Sequence, residues 1–123
     1  MLDAGKFADI GPDASLEAAQ GMRLTGRTLS QMLVGKTLLY GEAATMGPYR
    51  VRLNATGTSV FLRGRDKTEA DTGTWSIRED NFCREWKQIE PRRMCMAVAI
   101  SGAKIQLFDG MGLMLIEARA IDE

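Results

Sequence analysis

Between Thr72 and Asp109 the chain reads as four short strands joined by tight turns, with its only two cysteines on neighbouring strands. If Cys83 stands directly opposite Cys95 in an antiparallel pair, that register also sets Phe82 against Met96, Glu85 against Arg93 and Trp86 against Arg92. These are plausible cross-strand partners. Lys87 to Pro91 then form the connecting loop. A disulfide closing a loop of this size contributes on the order of 3 kcal/mol in the chain-entropy account, and such bonds persist in the periplasm or outside the cell. The competing reading is two free buried thiols that act as small hydrophobes. Neither a helix N-terminus nor a histidine is at hand to lower a thiol pKa, so a redox role is disfavoured.

Turn chemistry recurs every eight to twelve residues from Lys36 onward, the spacing of an all-β barrel or sandwich. Strands are expected near Lys36–Tyr40, Tyr49–Leu53, Ser59–Arg63, Gly73–Ile77, Phe82–Trp86, Met94–Ile100, Lys104–Phe108 and Leu113–Ala118. Asn54–Gly57, Arg78–Asn81, Ser101–Gly102 and Asp109–Gly110 punctuate them. A meander of about eight strands removes its exposed edges by closing on itself. The fold class is therefore mainly β: a small antiparallel meander or calycin-like barrel of about eight strands, with one or two short N-terminal helices. One helix is expected at Thr28–Val34, with Thr28 and Gln31 spaced as a capping box and Gly35 as its stop. A weaker helix signal covers Pro12 to Gln20. Residues 1–27 read as a lead-in and 28–123 as a single β domain, since 123 residues hold one core and leave no room for a second.

Composition removes several function classes. Sixteen basic residues balance sixteen acidic ones, so the electrostatic footprint of a nucleic-acid binder is missing. No run of eighteen apolar residues argues for membrane insertion. The N-terminus lacks the basic and apolar regions of a signal peptide, so the export reading has Met1 standing where such a signal was removed. The chain has no histidine, which excludes Ser-His-Asp and Cys-His machinery. Two cysteines without CxxC spacing do not make an all-cysteine zinc site, and no cofactor is expected.

One combination of residues resembles a known family. Gly35-Lys36-Thr37-Leu38 closing a helix, Gly73-Thr74-Trp75-Ser76-Ile77, then Cys83, Trp86 and Cys95, and finally Gly102, Ile105, Leu107, Asp109 and Gly110, together resemble domain-of-unknown-function family 995, small exported alphaproteobacterial proteins. The resemblance covers roughly Leu29 to Asp109. It implies a secreted, calycin-like or related small β fold and brings no established activity or catalytic residues. The charged connection from Arg63 to Asp71 departs from the family pattern.

Two non-catalytic functions compete. In the first, the chain is an exported interaction module for another envelope or secreted protein. Its contact is an arginine cluster made of Arg50 and Arg52 on one strand and Arg63 and Arg65 on its hairpin neighbour, with Arg92 and Arg93 on the Lys87–Arg93 loop; such a patch suits bidentate contacts with acidic groups. In the alternative, the barrel is a lipocalin-like carrier of a small hydrophobic ligand, lined by Trp75, Phe82, Met96 and Leu107 with Trp86 at the rim. Met94 and Met96 share a strand face as soft metal ligands would, but Val98 and Ile100 continue that face, and core packing is the simpler account. The carboxylates Glu79, Asp80, Glu85, Glu90, Asp109 and Glu117 show no spacing that sets two across a cleft as glycoside hydrolysis requires. The chain is accordingly expected not to be an enzyme.

Overall fold

A computed structural model describes residues 22–42 and 47–123. It holds β1 (Met22–Arg23), α1 (Gly26–Leu33), β2 (Thr37–Tyr40), β3 (Tyr49–Leu53), β4 (Thr58–Arg63), β5 (Thr68–Arg78), β6 (Asn81–Trp86), β7 (Arg93–Ser101), β8 (Lys104–Phe108) and β9 (Met114–Ile121). From β2 to β9 every strand pairs antiparallel with the next, and β9 returns to pair with β2 through Thr37–Ile121, Leu38–Ala120 and Leu39–Arg119. The meander is thus a closed eight-stranded barrel, and closure leaves no edge between first strand and last. β1 lies outside this cycle, on β7 beyond the end of β6. The helix signal at Pro12 to Gln20 falls outside the described residues.

The register decides what faces inward. Leu38 pairs with Val51, Val51 with Phe61, Trp75 with Arg84, Phe82 with Met96, Val98 with Leu107 and Ile105 with Ala118, and these rows share the inner face. Apart from Arg84, and from Phe61, which is partly buried and packs against it, they make the continuous buried core, joined by Leu53, Trp86 and the helix residues Leu29 and Leu33. Outside the barrel, Ala97, Ala99 and Phe108 form a second, smaller buried cluster.

α1 seals one end. Leu29 and Leu33 are 0 % exposed, one turn apart on the face that meets the barrel. The helix starts earlier than the Thr28 capping box predicts, at N-cap Thr25, whose side chain makes no capping hydrogen bond. The Gly26 amide instead donates to Asp80 Oδ1 at 2.7 Å. Asp80 belongs to the two-residue turn between β5 and β6, where Glu79 and Asp80 have φ of 49° and 63°, the conformation that matches the twist of a tight hairpin. A tertiary contact therefore replaces the local cap. The helix does end as expected, with Gly35 at φ 72° donating its amide to Leu53 O at 2.9 Å.

The charged stretch from Arg63 to Asp71 is mostly strand. Only residues 64–67 form the turn, and β5 runs from Thr68, absorbing the register shift at Phe61/Leu62. The disulfide joins Cys83 to Cys95, which are directly paired with Cα atoms 4.0 Å apart. It sits on the outer face, with Cys83 buried and Cys95 exposed.

Candidate functional site: the open end of the barrel

Opposite the helix, the ends of the strands carry the turn at 64–67, the segment 87–92 and the turn at 109–113. Four aromatic side chains line this mouth. Tyr40 and Tyr49 stack with centroids 5.6 Å apart, Tyr49 and Phe61 lie at 5.9 Å, and Phe61 meets Trp86 edge to face at 5.8 Å. Behind them lies a cavity of about 80 Å³ whose walls include Leu38, Phe82, Trp86, Met96 and Leu107.

Arg84 is the charged residue in this lining. It faces inward because it alternates with Phe82 and Trp86 on β6, and strand side chains repeat every second residue. Its Nη1 donates to the Pro91 carbonyl at 2.5 Å, and Nη2 lies 4.0 Å from the sulfur of Met94. Among the described residues no carboxylate is within ion-pairing distance of Arg84. Burial lowers its pKa and the neighbouring Tyr40 opposes that, yet an arginine stays cationic at any ordinary pH. The Tyr40 phenol is pushed up to about 12 by burial, with Arg84 pulling it back and Tyr49 adding to the rise.

Asp71 fixes the segment over the mouth. Its Oδ2 accepts from the amides of Gln88 and Ile89, both at 2.8 Å, and its Oδ1 from Thr72 N at 2.8 Å. Burial alone would raise this carboxyl, but the backbone donors outweigh it and hold the pKa below the ordinary value. Ile89 is thereby placed in the cavity wall.

The turn beside the mouth presents apolar side chains to solvent. Asp109 Oδ1 accepts from Met111 N and Leu113 N, each at 2.9 Å, while Gly112 N donates to Asp109 O at 3.1 Å. On this fixed turn Met111 is 94 % and Leu113 64 % exposed, and Met114 and Leu115 follow as exposed residues.

The arginines do not form the single cluster expected of them. Arg63 pairs with Tyr49 and so takes the face opposite to Arg50 and Arg52, which pair with Leu62 and Val60. The hairpin register, rather than nearness in sequence, separates them. Arg50 lies 2.9 Å from Glu123 and donates to Gly64 O at 3.3 Å. Arg65 is exposed in the 64–67 turn. Arg92 pairs with Glu90 at 3.1 Å and Arg93 with Glu85 at 3.4 Å. Of the expected lining, Phe82, Trp86, Met96 and Leu107 border the cavity. Trp75 does not; it packs on Phe82 at 6.3 Å and donates its indole N–H to Asn54 O at 2.8 Å, toward the helix end. Among the described residues no group of three or more Cys, Asp or Glu side chains is placed to hold a metal.

Comparison with family models, with curated proteins and with solved structures finds no match to this chain.

Proposed function

We propose that the chain is an exported, non-catalytic interaction module that docks another envelope or secreted protein with the open end of its barrel. The observation that carries this reading is the 109–113 turn. Three hydrogen bonds to Asp109 fix a backbone whose most prominent side chains, Met111 and Leu113, stand in water. Contiguous apolar exposure of this kind marks contact surfaces. Arg63, Arg65, Arg92 and Arg93 are exposed, and Arg63, Arg65 and Arg92 lie on or beside the loops of the same end. An apolar centre with an arginine-bearing polar rim is the anatomy of a protein contact. The disulfide supports an oxidising compartment, and membership of family 995 belongs to the same proposal. Replacing Met111 and Leu113 together by serine tests it. A photo-crosslinker at position 110 should join the parent chain to one partner in its native host, and the double variant should lose that product; an unchanged product would overturn the reading.

The cavity favours a second reading, the carrier of a small apolar ligand. At about 80 Å³ it is roughly half the size of an engineered cavity that takes benzene, so only a short ligand fits. Saturable binding of a small apolar probe would support this, and a core closed to every such probe would remove it.

A further inference from the structure

We propose that Arg84 makes the barrel mouth a site for a short-chain aliphatic monocarboxylate, with the carboxylate on the guanidinium and the alkyl tail in the cavity. The proposal rests on the carrier reading and names its ligand class.

Arg84 is rooted between Phe82 and Trp86 on the inner face of β6, and its guanidinium reaches Pro91 O in the segment bordering the mouth. Carbon and sulfur side chains form the floor, among them Leu38, Phe82, Met96 and Leu107. The cavity is thus apolar within and cationic at its opening, the complement of an amphipathic anion.

A guanidinium carries five N–H donors in a planar fork. One is committed to Pro91 O, and a second makes only a long contact with the sulfur of Met94. No carboxylate of the described residues is in ion-pairing range, so none of them neutralises this half-buried guanidinium, which borders an apolar cavity where an opposite charge is held more strongly than in bulk water. A planar carboxylate matches the fork in a way that neither an alcohol nor an ammonium group does. Tyr40, which lines the same cavity, adds a neutral hydroxyl donor.

A cavity of about 80 Å³ corresponds to roughly three waters at their share of the liquid volume, which admits a tail of about three carbons.

The test titrates the intact chain with sodium butyrate, following the Trp86 indole N–H and the Met96 methyl by NMR, with butan-1-ol and inorganic phosphate as comparators. The alcohol keeps the tail without the charge, and phosphate keeps a charge without the tail. Butyrate should saturate and shift both reporters, with butan-1-ol and phosphate each weaker by roughly tenfold or more. Arg84→Met, which keeps the apolar stem, should weaken butyrate to the level of the alcohol. If butan-1-ol or phosphate binds as well as butyrate to the unaltered chain, the carboxylate assignment fails, whether or not Arg84→Met folds. Equal binding by the alcohol leaves the carrier reading standing, whereas binding by neither tailed compound removes both.

Discussion

The indole of Trp86 on β6 meets the ring of Phe61 on β4 edge to face at 5.8 Å, although β5 runs between the two strands. Contact across an intervening strand requires that strand to present nothing bulky there. The β5 residue paired with Trp86 is Gly73. A Cβ built on it would stand 1.9 Å from the Glu85 carbonyl oxygen and 3.1 Å from Trp86 Cα.

Gly73→Ala should therefore push β6 away from β5 and cost about 1–3 kcal/mol or more, as overpacking does. Gly110→Ala is the matched control, because nothing lies within 4 Å of the added carbon and no positive φ is required; it should stay within about 0.5 kcal/mol. Urea unfolding midpoints check both, and Gly73→Ala should also alter the fluorescence of Trp86. An unperturbed Gly73→Ala would show that the aromatic girdle does not depend on this close approach.

Asp71 ties the rim to pH. Its carboxyl lies below the ordinary 3.8 in the folded chain and returns to about that value when unfolded. The unfolded chain thus takes up a proton first on acidification. The stabilisation is complete above 3.8 and is lost as pH falls through the lower folded value. Hydrogen exchange at the Gln88 and Ile89 amides should accelerate in that window, and Asp71→Asn should produce the same acceleration at neutral pH. Protection that is independent of pH and of this substitution would mean that another contact holds the segment.

The disulfide closes a loop with a sequence separation of 12, so Cys83→Ala with Cys95→Ala should lower stability by about 2–3 kcal/mol. Because the bond lies on the outer face, the cavity walls are untouched. Thermal melting should fall while the near-ultraviolet signature of the girdle aromatics persists. Loss of that signature would instead mean that the crosslink shapes the barrel interior.

Sequence alternation and turn chemistry carry much of this architecture. Tyr49–Leu53 and Lys104–Phe108 coincide with β3 and β8, and the Cys83–Cys95 pairing with its neighbours Phe82–Met96 and Glu85–Arg93 is the observed register. The first half of β5 is hidden because Thr68-Glu69-Ala70-Asp71-Thr72 has the composition of a loop; tertiary pairing to β4 makes it a strand. The helix cap comes from Asp80, 54 residues away, so no local motif announces it. Arg84 was legible in principle, since any strand that buries Phe82 and Trp86 also turns the residue between them inward. Its charge argues against burial by composition alone, which hides it. The exposure of Met111 and Leu113 had no such signal, because apolar residues after a turn read as the start of a buried strand.

Tyr40 and Arg84 share the mouth, and their coupling can be titrated. Burial raises the phenol to about 12 from 10.0, while the Arg84 charge lowers it. Between pH 10 and about 12 the unfolded chain releases a proton that the folded chain retains, so this contribution to stability is full below 10 and disappears as pH rises through the folded value. Tyrosinate absorbance in a Tyr49→Phe background isolates Tyr40. Adding Arg84→Met should shift its ionisation to still higher pH, because the cation that favours the phenolate is gone while the burial remains. A shift to lower pH would mean that the substitution opens the mouth to water, and an unmoved titration would place the guanidinium too far from the phenol to act with it on one anion.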